Sequence, residues 1–149
     1  MSTTRSTLLG KLVELCGAAR SRAYYVRRGF VDWSSFPWAR HARVISIVVP
    51  DETLLADANG CNKATVVMQF VCVLQDEDIQ SRVNDTLMDE LRADVDEVLR
   101  ALEAHYTVLD DGGLSPTLFF INRKDATATE FHDPDSHVQG VLAKVQINY

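Results

Sequence analysis

From Thr65 to Leu102 the chain passes from an apolar strand through an acidic turn into a long amphipathic helix, a βα unit that cannot bury itself alone. Thr65 to Leu74 reads Thr-Val-Val-Met-Gln-Phe-Val-Cys-Val-Leu, apolar on both alternating sides, which predicts an interior strand at the centre of a sheet, covered on two faces. Asp76, Glu77 and Asp78 end that strand in water. Thr86, with Asp89 three residues on, predicts the helix start, because acidic side chains suit the positive end of the helix dipole. Leu87, Met88, Leu91, Val95, Val98, Leu99 and Leu102 then recur at three- and four-residue spacing. Asp89, Glu90, Arg92, Asp94, Asp96, Glu97 and Arg100 are expected on the opposite, solvated side.

With 149 residues and 46% hydrophobic content, the chain suits one domain with a real core over 1–149. No window approaches the roughly 18 uninterrupted apolar residues of a membrane span, so no membrane is expected among its partners. Arg5, Lys11 and Arg20 among Ser and Thr faintly suggest a transit peptide, but the Leu/Val spacing and Glu14 fit an ordinary first helix better. Three cysteines without paired spacing imply thiols in a reducing compartment. Charge is unevenly placed, net +4 over residues 1–63 and −10 over residues 64–149, so copies of the chain can attract one another.

Leu8, Leu9, Leu12, Val13, Cys16 and Ala19 predict a first helix over about Ser6 to Arg22. Six arginines from Arg20 to Arg43 are then interleaved with Tyr24, Tyr25, Phe30, Trp33, Phe36 and Trp38. Guanidinium groups and rings suit nucleic acid, but they also dominate protein interfaces, and an acidic chain repels a polyanion at long range. Subunit or partner contact is the reading adopted, with Arg27, Arg28, Trp33 and Trp38 as its candidate residues. Val44 to Val49 predicts a strand closed by Pro50, followed by a projecting loop over 51–62 that carries Leu54 and Leu55. Short strands are expected at Tyr106 to Leu109, Thr117 to Ile121 and Ala126 to Phe131. A half-exposed last strand, Val141 to Tyr149, is expected to present an unpaired edge. The elements make an α/β (α+β) domain: a mixed, largely antiparallel sheet flanked by an N-terminal and a long central helix.

His132-Asp133-Pro134-Asp135-Ser136-His137 is the one cluster with metal-ligand chemistry, and a turn with side chains splayed into water accounts for it better. His41 and His105 lack a neighbouring acid-and-nucleophile pattern. There is no Gly-rich phosphate loop, nucleophile elbow, CxxC pair or HExxH helix, so neither catalysis nor a cofactor is expected.

The layout resembles the tail terminator (tail completion) proteins of long-tailed bacteriophages. Its carriers are the N-terminal helix, the Trp33-Ser-Ser-Phe-Pro37 lead-in to the strand at Val44 to Val49, the long loop, and the Thr65 strand feeding a helix. The Asp111-Gly-Gly113 turn and the C-terminal Gly140-Val-Leu-Ala-Lys-Val-Gln-Ile-Asn-Tyr149 strand complete it. The resemblance implies a homo-hexameric ring without cofactor or catalysis. That ring would cap the head-proximal end of the tail tube, stop tube growth and offer a surface to the neck proteins of the head. Its partners would be further copies of itself, the tail tube protein and the connector or neck proteins, with DNA only as passing cargo. Tyr149, at the end of the last strand, and Leu54 and Leu55, on the projecting loop, join the candidate interface residues because such elements can reach a neighbour. The alternatives are another connector, neck or tail-tube ring protein, and a nucleic-acid-binding module using residues 20–43.

Overall fold

A computed structural model describes residues 5–18, 22–53, 63–75, 82–109, 120–121 and 125–148. Helix α1 spans Arg5–Ala18, followed by strands β1 (Tyr25–Arg28), β2 (Arg43–Thr53) and β3 (Lys63–Val73). Helix α2 spans Asp85–Leu109, and β4 (Phe120–Ile121), β5 (Thr127–Asp133) and β6 (Val138–Asn148) complete the order. The fold is α+β: a mixed, mostly antiparallel sheet in the order β1-β2-β3-β6-β4, with β5 also paired to β6 and one long central helix. Among the described residues only β1 and β2 run parallel.

Strand β3 is central, as expected, but the helices cover only one of its faces. Ala64, Val66, Met68, Phe70 and Cys72 point into the main core, where they meet Leu9, Leu12 and Cys16 of α1 and the apolar stripe of α2. On the helix-free face Thr65, Val67, Gln69 and Val73 are half-buried, and Val71 among them is fully buried. Apolar side chains on both sides of a pleat therefore do not require a helix on both, since a sheet face can be half-covered by loops and neighbouring strands. The stripe predicted for α2 is the buried one, from Met88 to Leu102, with Leu87 packed at its margin.

Several boundaries differ from expectation. Residue Asn84, rather than Thr86, caps α2: its Oδ1 accepts from the Leu87 N–H at 3.2 Å and its carbonyl from the Met88 N–H at 3.0 Å. The helix continues through 106–109, where a strand was expected, because β-branched residues cost only tenths of a kcal/mol in a helix already propagating. Proline 50 does not close β2. A bulge between Val48 and Asp51 absorbs the extra residue and the missing N–H, and pairing with β3 resumes at Asp51↔Thr65. The connection predicted over 51–62 thus begins as strand to Thr53, and Leu54 and Leu55 lie outside the described residues.

The last strand is not an edge. β6 pairs with β3 along its whole length, from Val73↔Val138 to Lys63↔Asn148, and with β5 and β4 on its other side. The alternation of buried Val141, Ala143, Val145 and Ile147 with exposed Lys144 and Gln146 reports a sheet with one wet face and carries no information about edges. Tyr149 lies outside the described residues.

Candidate functional site

The side-chain chemistry of the described residues gathers in three places: a buried polar seam, an aromatic crossover and the two ends of the sheet. The seam is the largest departure from expectation. Asp94, expected in water, is fully buried. Its Oδ1 accepts from Arg22 Nη1 at 2.7 Å and its Oδ2 from the Tyr24 hydroxyl at 2.5 Å. Arg43, on the core face of β2 opposite Cys72, donates to Glu90 Oε2 at 2.5 Å and holds Nη1 3.9 Å from Asp94 Oδ2. A buried charge is tolerable only when paired, and here two arginines and a phenol supply the pairing. Burial first, then the hydrogen bond to Asp94, pushes the Tyr24 hydroxyl far above its ordinary value, so it stays a donor. Burial also raises the Cys72 thiol to about 11, with Arg43 opposing and Glu90 assisting. This thiol is not a nucleophile at neutral pH, and the seam ties α2 to the strands instead of offering a reactive group.

A parallel β1–β2 pair demands a crossover, and residues 29–42 provide it without a helix. Gly29, at φ 88°, turns the chain off β1: its N–H donates to the Ile47 carbonyl at 2.9 Å and its carbonyl accepts from Ser46 Oγ at 2.6 Å. Asp32 Oδ1 then accepts from the Ser34 N–H and hydroxyl, an Asx-type turn that holds its carboxyl below the usual range. The rings fold onto one another. Trp33 and Trp38 lie 6.1 Å apart, Trp38 donates its indole N–H to the Trp33 carbonyl at 2.9 Å, and Phe36 meets Trp38 edge-on at 4.7 Å. His41 stacks on Tyr25 at 4.4 Å, and Tyr25 lies opposite Val44 on the helix-free face. The basic-aromatic stretch is thereby resolved into parts. Tyr24 joins the main core against Phe70, Tyr25, Trp33, Phe36 and Trp38 make a small second cluster with His41, and Phe30, Arg27, Arg28 and Arg40 are exposed.

Candidate residues Arg27 and Arg28 sit on β1 and point to opposite faces of the sheet, opposite Ser46 and Ile47. Trp33 and Trp38 are neighbours, half-buried in the crossover. The His132–His137 stretch is the end of β5 followed by the turn 134–137 into β6, where Asp133 Oδ1 accepts from the N–H groups of Asp135 and Ser136. Among the described residues no group of three or more His, Cys, Asp or Glu is placed to hold a metal ion.

The uneven charge of the sequence maps onto opposite ends of the sheet. Helix α1 lies over β1 and β2, while α2 leans over β6 and β4 and reaches β5 through the Arg92–Glu130 pair at 2.5 Å. Exposed Arg27, Arg28 and Arg40 mark the first end, against Glu14 and Asp32. Exposed Asp85, Asp89, Asp96, Asp125, Glu130 and Asp135 dominate the second, against Arg92, Arg100 and Lys144. Both end strands, β1 and β5, are paired on one side only among the described residues. A molecule with unlike, oppositely charged ends is suited to head-to-tail contact with its own kind. Comparison of the sequence with protein-family models and with curated proteins finds no match.

Proposed function

We propose that this protein is a structural component of a long-tailed bacteriophage, a tail terminator whose homo-hexameric ring caps the head-proximal end of the tail tube and offers the head-joining surface. The observation that carries the reading is the opposite charge of the two ends of one sheet, whose end strands are each paired on one side only among the described residues. Such ends favour a heterologous contact, and a heterologous contact closes into a ring when its rotation allows. The layout resemblance supplies the identity of the ring. In this reading the protein has no cofactor and catalyses no reaction, it is assembled in the host cytoplasm into the virion, and its partners are the tube protein below and the neck proteins above. One ring face matches the tube end while the other lacks the tube's surface for further addition, so binding halts growth.

The aromatic crossover favours this over nucleic-acid binding, because Trp33, Phe36 and Trp38 pack on one another and Tyr25 stacks on His41. Phe30 is thus the one largely exposed ring among the described residues, where a base-stacking surface needs several in succession. Mass measurement in solution combined with negative-stain imaging is expected to give rings of about six copies under assembly conditions, since closed point groups dominate soluble homo-oligomers. Tails assembled without the protein should overgrow and fail to join heads. Tails of normal length that still join heads in its absence would refute the reading.

A further inference from the structure

Strand β1 runs with β2, against β3, with β6 and against β5, so the two end strands of the sheet point in opposite directions. Two copies brought end to end in the same sense therefore meet with β5 of one antiparallel to β1 of the next. We propose that these edges are the subunit interface: β1 of one copy adds to the β5 edge of a second copy, continuing the sheet from protomer to protomer. The inference rests on the ring reading for its closure but on the edges alone for the contact.

Residue chemistry selects a register. Tyr25 and Arg27 share the helix-free face, and Val26 and Arg28 the core face, by their partners on β2. On β5, Phe131 and Asp133 take the helix-free face and Glu130 and His132 the core face, by their partners on β6. A continued antiparallel sheet keeps faces together, and the register that sets Arg28 opposite Glu130 also sets Arg27 opposite Phe131 and Tyr25 opposite Asp133. Glu130 already pairs with Arg92 of its own chain, so Arg28 of the next copy would join that pair from across the strands, and a guanidinium over a ring adds to it. The other edge pairings carry a penalty: β1 against β1 crowds arginines, and β5 against β5 crowds carboxylates. Charge on an edge strand usually blocks adventitious pairing. Opposite charges on the two edges block each edge from itself and leave the heterologous pair permitted. Strand β1 has four residues, so each contact is short and the assembly gains from closing on a tube end, where every edge is satisfied.

The test uses Cys61→Ser protein carrying either Arg28→Cys or Glu130→Cys, with folding checked by circular dichroism. Directly opposed residues in an antiparallel pair lie about 4.5–5.5 Å apart at Cα, within disulfide reach. Mixing the two variants under mild oxidation should give a 28–130 disulfide dimer, and neither variant alone should cross-link. As a second measurement, Arg28→Glu should weaken self-association about 1.5- to fivefold, the range of a cross-strand charge pair, and adding Glu130→Arg together with Arg92→Glu, which keeps the pair within the chain, should restore it. An Arg28→Cys protein that cross-links to itself, a mixture without adduct, or charge exchange without restoration overturns the interface. Rings without the adduct leave the ring reading standing and this interface wrong. The adduct in open chains that never close does the reverse.

Discussion

The Tyr24 hydroxyl donates to Asp94 Oδ2 at 2.5 Å, joining the residue before β1 to the buried side of α2 across 70 positions of sequence. With Arg22 and Arg43 it makes Asp94 the anchor of the basic end of the molecule against the long helix. Replacing Asp94 with Ala leaves the Arg22 guanidinium and the phenol without their acceptor and removes the carboxylate beside Arg43, which keeps Glu90. The expected loss is on the order of 3 kcal/mol, less than the full cost of a broken buried pair because Arg22 is partly solvated. The change Tyr24→Phe removes one hydrogen bond and should cost about 1–3 kcal/mol. Urea unfolding with an unchanged m-value checks both, and an Asp94→Ala protein as stable as the parent would show that the seam contributes nothing.

The same seam sets an alkaline limit. The folded state raises the Cys72 thiol to about 11 from 9.0 and raises the Tyr24 hydroxyl further. Both protonated forms are therefore favoured by folding. The stability they contribute is complete below their unfolded values and is lost as pH climbs through the folded ones. Stability should hold to about pH 9, then fall between 9 and 11 by on the order of 2–3 kcal/mol from the thiol, with the phenol adding above about 10. In the Cys72→Ala protein the decline between pH 9 and 11 should be shallower, whatever its stability at neutral pH. Equal slopes would contradict this.

Periodicity made β3 and the α2 stripe legible in the sequence, because spacing alone decides which side chains share a face. It also held the clue to Asp94, which sits three residues after Leu91 and four before Val98, squarely on the buried stripe. Charge argued for water and position argued for the core. Position prevailed because Arg22, Tyr24 and Arg43 lay upstream to satisfy it, a pairing that only the fold brings together. Strand β1 was hidden for a related reason. Tyr25-Val-Arg-Arg is too short and too charged to alternate visibly, so the parallel pair and its aromatic crossover read as one undivided interface stretch.

The start of α2 is held from outside. Gln139 of β6, fully buried, accepts the Asn84 N–H at Oε1 across 2.8 Å and donates Nε2–H to the Asn84 carbonyl across 2.9 Å. Substituting Asn84 by Ala removes the cap but keeps this backbone clasp, and should cost about 1 kcal/mol. The change Gln139→Leu removes both clasp bonds and strands the Asn84 N–H, while the Asn84 carbonyl keeps its bond from Met88, for about 1–3 kcal/mol. Hydrogen exchange should show the first turn of α2 opening faster in Gln139→Leu than in Asn84→Ala. The opposite order would assign the helix start to the cap alone.

Gly140 carries the last expectation, because it couples the core to the β5 edge. A Cβ there would stand 2.5 Å from Phe131 Cζ and 2.6 Å from the Phe70 carbonyl oxygen. The Phe131 ring thus lies across the glycine from the neighbouring strand, filling the place a side chain would take. Alanine must push the ring aside and also press on the β3 backbone, which cannot rotate away, so Gly140→Ala should cost about 1–3 kcal/mol. Adding Phe131→Ala relieves the ring clash but not the carbonyl contact. The double variant should therefore lose less than the sum of the two singles, while remaining less stable than Phe131→Ala alone. Strict additivity would mean that ring and glycine do not interact. Since β5 presents its outer edge through this same residue, Gly140→Ala should also weaken self-association more than Gln139→Leu does at matched stability, because only the former tilts the edge that a second copy would pair with.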